Sequence, residues 1–180
     1  MNGGWASELR VTGHPDWPGL DNDIVQPGGL VSVLVARRHR HDKVSVCGYL
    51  VDVHCLGVKN VLGPRVMDEA DLVPFRRYFF AAYVGDHLVA PLELAQHLVF
   101  GAVGYAAGLG CEPHPDYADT VGQLGDPLAS CDIEFGREGT PFFVEGPYDD
   151  ARQIGRTLDA SLGPGNYHSV RTASLSAAGF

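Results

Sequence analysis

The sequence predicts an α+β domain, with two antiparallel β-hairpins in one sheet packed against three to four helices. Three observations lead there. Two pairs of strand-like runs are each joined by a short polar tip. Helical periodicity fills the stretch between the pairs and returns after the second. Strands and helices do not alternate singly, as a doubly wound parallel sheet would require. At 180 residues the chain is long enough for one domain with its own hydrophobic core. Residues 1–28 read as an extended arm, 29–166 as the domain and 167–180 as a loose tail.

The arm is dominated by Gly, Pro, Asp and Asn, and Trp5 and Trp17 are its largest apolar side chains. Gly28 and Gly29 open a strand from Leu30 to Arg37. A basic tip, His39 to Lys43, turns the chain into a second strand from Val44 to about Leu56. Gly48 within that strand marks a bulge or a close backbone approach. Met67 to Leu72 reads as a helical turn, and Pro74 can open a helix with Phe75, Tyr78, Phe79, Ala82 and Tyr83 along one side.

Pro91 opens the clearest helix. Its apolar stripe holds Leu92, Ala95, Val99, Ala102, Val103 and Ala106, and Gly108 to Gly110 ends it. Gly101, Gly104 and Gly108 cost helix stability, so tight packing is expected to compensate. Pro113 and Pro115 stiffen a turn around His114, followed by a short helix to about Leu124. Ser130 to Phe135 and Thr140 to Glu145 flank Gly136-Arg137-Glu138-Gly139 as a second hairpin. Asp149 and Asp150 start a last helix, which runs to about Leu162 and stops at Gly163-Pro164-Gly165.

The formal net charge is −9, which argues against binding long nucleic acid through its phosphates. The basic stretch Arg37 to Lys43 is the local exception, read as a solvated hairpin tip or as a small anion or RNA contact. No apolar run reaches the roughly 20 residues needed to span a bilayer, and Met1 to Pro18 shows no signal-peptide pattern. A cytoplasmic location without a membrane partner is expected. Cys47, Cys55, Cys111 and Cys131 lack the spacing of a zinc knuckle or redox dithiol. Reduced, mostly buried thiols are expected.

Several constellations could carry chemistry. Continued as a strand, Asp52 and His54 share one face and could hold a metal, or act as a base and its orienting carboxylate. An exposed polar sheet face is the plainer account. Lys59, just beyond, could supply a cation to an anionic substrate. His114 and Asp116 are presented from the stiff turn, with helix capping as the structural alternative. Glu93 and His97 sit one helical turn apart and could bind a metal, though a simple surface pair is the plainer account. Asp132 and Glu134 share a strand face in the second hairpin. Asp149 and Asp150 favour capping, or a cation. A cysteine nucleophile, Cys55 or Cys111 with His114 or His97 as base, is a further arrangement. No phosphate loop, dinucleotide fingerprint, nucleophile elbow or zincin motif is present.

Three groups of segments resemble a bacterial protein family without an established function. They are Tyr49-Leu50-Val51-Asp52 with Cys55-Leu56-Gly57-Val58-Lys59; Tyr105-Ala106, Leu109-Gly110 and Pro113 to Tyr117; and Ile133 to Gly136 with Gly139, Pro141-Phe142-Phe143 and Gly146-Pro147. The resemblance covers roughly residues 30–166. It implies that these segments form one site or one core, and it brings no activity. His54 departs from the family's usual residue, which weakens the metal reading at that position.

Two functions are therefore expected to compete. One is a small metal-dependent hydrolase, phosphoesterase- or nuclease-like. Asp52, His54, His114 and Asp116 would hold a divalent metal ion, and Asp52, Lys59 and His114 would act on a small anionic substrate. The other is a non-catalytic binding module or assembly subunit. Trp5 and Trp17 of the arm would anchor it on a protein partner.

Overall fold

The computed structural model describes residues 3–6, 29–82, 87–126 and 133–171. Its centre is a five-stranded antiparallel sheet in the order β4-β3-β2-β1-β5. The strands are β1 (Gly3–Ala6), β2 (Leu30–Arg38), β3 (Lys43–Asp52), β4 (Gly57–Asp68) and β5 (Leu88–Ala90). Helix α1 (Leu72–Phe79) follows a 3-10 turn at Glu69–Asp71, and α2 (Leu92–Gly108), α3 (Tyr117–Leu124) and α4 (Ala151–Leu162) complete the helices. A separate pair, β6 (Phe142–Val144) and β7 (His168–Val170), is parallel. No helix among the described residues is long and apolar enough to cross a membrane.

Alternation along β2 and β3 divides the core. Val31, Val33, Val35, Cys47, Tyr49 and Val51 face α2, whose Leu94, Leu98, Val99 and Ala102 cover them. The buried face of α2 is thus broader than the expected stripe. Leu34, Val44 and Val46 face the other way, under Trp5, Phe75, Phe79 and Phe80. A third cluster joins Cys55 and Leu56 to Leu109, Phe143 and Leu158, and so ties α4 and β6 to the end of the sheet.

The α+β class holds, while the strands differ from expectation in identifiable places. β3 stops at Asp52, residues 53–56 form a turn, and β4 returns antiparallel from Gly57. Asp52 and His54 therefore do not share a strand face. Asp52 itself causes the turn, since its carboxylate accepts the N–H groups of His54, Cys55 and Leu56 at 2.8–3.1 Å. A short acidic side chain captures the backbone in place of the ladder. Gly57 completes the reversal at φ 67°, where a Cβ would lie 2.9 Å from the Ala102 carbonyl and from Ala106 Cβ. Gly48 combines both expected features, a register irregularity between Val46 and Gly48 and the Phe79 ring where a Cβ would sit.

Among the described residues the second hairpin keeps only its tip, and Ser130 to Asp132 lie outside them. Arg137 and Thr140 exchange backbone hydrogen bonds at 2.8 and 3.0 Å, but Phe142–Val144 pairs with β7 rather than joining the main sheet. The Gly136 and Phe142 N–H groups instead donate to the carbonyls of Val53 and His54 in the Asp52 turn. Strand β7 lies in the stretch expected to be a loose tail. It is held against α4 by Asn166, which donates to the Leu162 carbonyl, and by Tyr167, which donates to Asp159. Of the three glycines in α2, Gly101 meets the Phe135 ring, whereas Gly104 and Gly108 have nothing within 4 Å of a notional Cβ.

The arm also differs. Its residues 3–6 are β1, hydrogen-bonded between β2 and β5. Trp5 is correspondingly a core residue, with the Arg76 guanidinium 4.8 Å above its ring. It is enclosed, not displayed for a partner. Trp17 lies outside the described residues.

Candidate functional site

A cleft of about 480 Å³ opens where the Asp52 turn, the start of β4, residues 110–115 and the first turns of α4 meet. Each wall has a local cause. The prolines at 113 and 115 hold the loop stiff, and the His114 N–H donates to the Val58 carbonyl, pinning the loop to β4. Helix α4 is started by Asp150, whose carboxylate accepts the N–H groups of Arg152 and Gln153. The neighbouring Asp149 is left free to point into the cleft.

At the floor, Lys59 Nζ donates to Asp149 Oδ2 at 2.6 Å, and the two side chains are only 13% and 11% exposed. Asp149 Oδ2 also accepts the Gly146 N–H at 2.8 Å. Gly146 makes room for the pair, since a Cβ there would stand 3.1 Å from Asp149 Oδ2 and 3.2 Å from Lys59 Nζ. The capping and cation roles read for Asp149-Asp150 are thus divided, one to each residue. Sequence reasoning did not pair Lys59 with Asp149, and nothing local could have done so. Leu56, Pro113 and Ile154 supply apolar wall, while Glu112 stands exposed at the rim.

His114 lines the same cleft. Its Nδ1 accepts the Asp116 N–H at 3.2 Å, so in the neutral ring Nε2 carries the proton. His114 is then a hydrogen-bond donor. Metal ligation through Nε2 would reverse this, with Nε2 bare and Nδ1 donating to a neighbour, and ligation through Nδ1 would displace the Asp116 N–H. Asp116 occupies the N-cap position of α3 without a side-chain capping bond, and its Oδ2 is 3.9 Å from His114 Nδ1.

Asp52 sits behind the cleft, 2% exposed. Burial pushes its carboxyl up to about 6, against the three N–H groups and the Lys59 ammonium, which favour the anion. His54 turns away from it. Its ring packs over Gly29 and edge-on to Phe142 at 6.2 Å, with Nδ1 lacking a hydrogen-bond partner among the described residues. Burial, and then the Arg137 charge, push the imidazole pKa down. Among the described residues no group of three or more His, Cys, Asp or Glu side chains is placed to hold a metal ion. The structure thus brings Lys59 and His114 to one cleft, keeps Asp52 behind it, and directs His54 elsewhere.

The thiols are poorly suited to attack. Burial, with Asp52 beside them, pushes Cys55 and Cys111 up from the ordinary thiol value, so thiolate is scarce near neutrality. Of the basic stretch Arg37 to Lys43, Arg38 pairs with Glu69, Lys43 with Asp68, and Arg37 donates to the Gln123 and Leu124 carbonyls at the end of α3.

Comparison with known proteins returned no matching family model, no matching curated protein and no matching solved structure.

Proposed function

We propose that the protein is a small-ligand-binding domain whose cleft receives an acceptor oxygen of its ligand, from a carboxylate or phosphate, on the Lys59 ammonium. One observation carries the reading. An ammonium has three N–H donors, and among the described residues Lys59 gives one, to Asp149. Asp149 leaves the other N–H groups of this ammonium unclaimed by protein acceptors among the described residues, and the cleft gives an acceptor on a ligand access to them. His114 adds a second donor on the same lining. The cleft volume lies within the ~300–1,000 Å³ range of small-molecule sites.

A metal-dependent hydrolase built on Asp52, His54, His114 and Asp116 draws less support. The Asp52 oxygens are engaged by three backbone N–H groups, and the His114 Nδ1 lone pair is taken by the Asp116 N–H. Docking to a protein through Trp5 likewise draws less support, because the indole is enclosed.

The test is an NMR titration of the full chain with inorganic phosphate and with 4-methylpentanoate. Saturable shifts at Lys59, the 110–115 loop and residues 153–157 are expected. They should disappear in the Lys59→Met/Asp149→Asn double variant, which removes both charges without leaving one buried alone. Shifts confined to other surfaces, or unchanged in the double variant, would overturn the reading.

A further inference from the structure

The charges around the cleft narrow the ligand class, given that the binding reading above holds. Lys59 is already offset by Asp149 in contact, and Asp52 is near enough to feel its field. A bare anion entering there gains hydrogen bonds but little net attraction. It also meets the Glu112 carboxylate, which has no cationic partner among the described residues. An ammonium on the same ligand reverses that repulsion. On the same lining, Leu56, Pro113 and Ile154 offer apolar wall, which rewards hydrocarbon rather than a second charge. The Lys59 and His114 donors, the exposed Glu112 and the apolar Leu56, Pro113 and Ile154 thus line one cleft.

We propose that the ligand is a small zwitterion with an apolar side chain, of the free amino acid type. Its carboxylate would lie on the two remaining Lys59 N–H groups, its ammonium would face Glu112, and its side chain would lie against Ile154 and Leu56. Gln153 and Thr157 on α4 complete the polar lining.

Isothermal titration calorimetry of the full chain with L-leucine, 4-methylpentanoate and 3-methylbutylamine tests this, since the last two each lack one charged end. Leucine should bind about fivefold tighter than 4-methylpentanoate, the scale of one partly exposed ion pair. Glu112→Gln should remove that advantage. Equal affinity for leucine and 4-methylpentanoate would overturn the zwitterion while leaving the acceptor-oxygen reading intact. Equal affinity for leucine and 3-methylbutylamine would overturn both. Binding of phosphate without leucine would also overturn the zwitterion and retain the broader reading.

Discussion

Lys59 and Asp149 are ninety positions apart, yet Nζ and Oδ2 meet at 2.6 Å with both side chains almost fully enclosed. The contact joins β4 to the start of α4 and forms the floor of the cleft. Its energetic sign depends on what replaces it, because desolvation of two charges offsets much of their attraction. Lys59→Ala should destabilise by about 3 kcal/mol, since it strands the Asp149 carboxylate. Lys59→Met/Asp149→Asn should recover most of that loss. Urea unfolding of the three proteins measures both, and equal losses in single and double variants would contradict the account.

Much of the helical frame was legible because its punctuation is local. Asp150 caps α4, Gly163 ends it, and Pro91 precedes α2. Strand β4 was not legible. Gly57, Gly63 and Pro64 interrupt its pattern, and as an edge strand it leaves Leu62 to Val66 exposed, so no alternation marks it. Pro64 is tolerated because an edge strand need not donate on both sides. The Asp52 turn was hidden for the opposite reason. Val53-His54-Cys55-Leu56 contains no usual turn residue, and only Asp52 before it and Gly57 after it signal a reversal. Lys59 and His114 could each be singled out by type and context. Their common cleft depends on tertiary contacts that no spacing encodes.

The Asp52 carboxyl should titrate with a midpoint of about 6, against an ordinary value of 3.8. Below about pH 4 the folded and unfolded chains both hold the proton, and above about 6 neither does. Between those values only the folded chain holds it, so stability falls as pH rises through the window, by about 3 kcal/mol in all. Asp52→Asn should flatten this slope. Carbon-detected NMR of the Asp52 carboxyl reads the midpoint directly, and a value below 4 would show that the three N–H groups and Lys59 outweigh burial.

Gly57→Ala should destabilise by about 3 kcal/mol. Two penalties add: a left-handed φ imposed on a residue with a Cβ, and a contact of 2.9 Å with the Ala102 carbonyl, backbone that cannot rotate aside. Gly104→Ala serves as the control, because nothing lies within 4 Å of its Cβ position and alanine favours the helix by about 1 kcal/mol. The pair should shift thermal unfolding in opposite directions. A neutral Gly57→Ala would mean that the turn can move off α2.

Removing residues 1–28 separates a structural arm from a docking arm. Strand β1 lies between β2 and β5, pairing Trp5 with Leu34 on one side and Val89 on the other. Without it, β2 becomes an open edge, β5 loses the strand it pairs with, and the aromatic cluster around Phe80 loses the Trp5 indole. Truncating a buried tryptophan alone costs about 3–5 kcal/mol, a large part of a typical domain's stability. The shortened chain should therefore lose near-UV circular dichroism and unfold at much lower urea concentration. Trp5→Ala should do the same in part. Trp17→Phe should leave a blue-shifted tryptophan emission, now from Trp5 alone, that iodide quenches poorly. If the shortened chain kept its full stability and lost only association with a partner, the arm would be a docking device and β1 dispensable to the sheet.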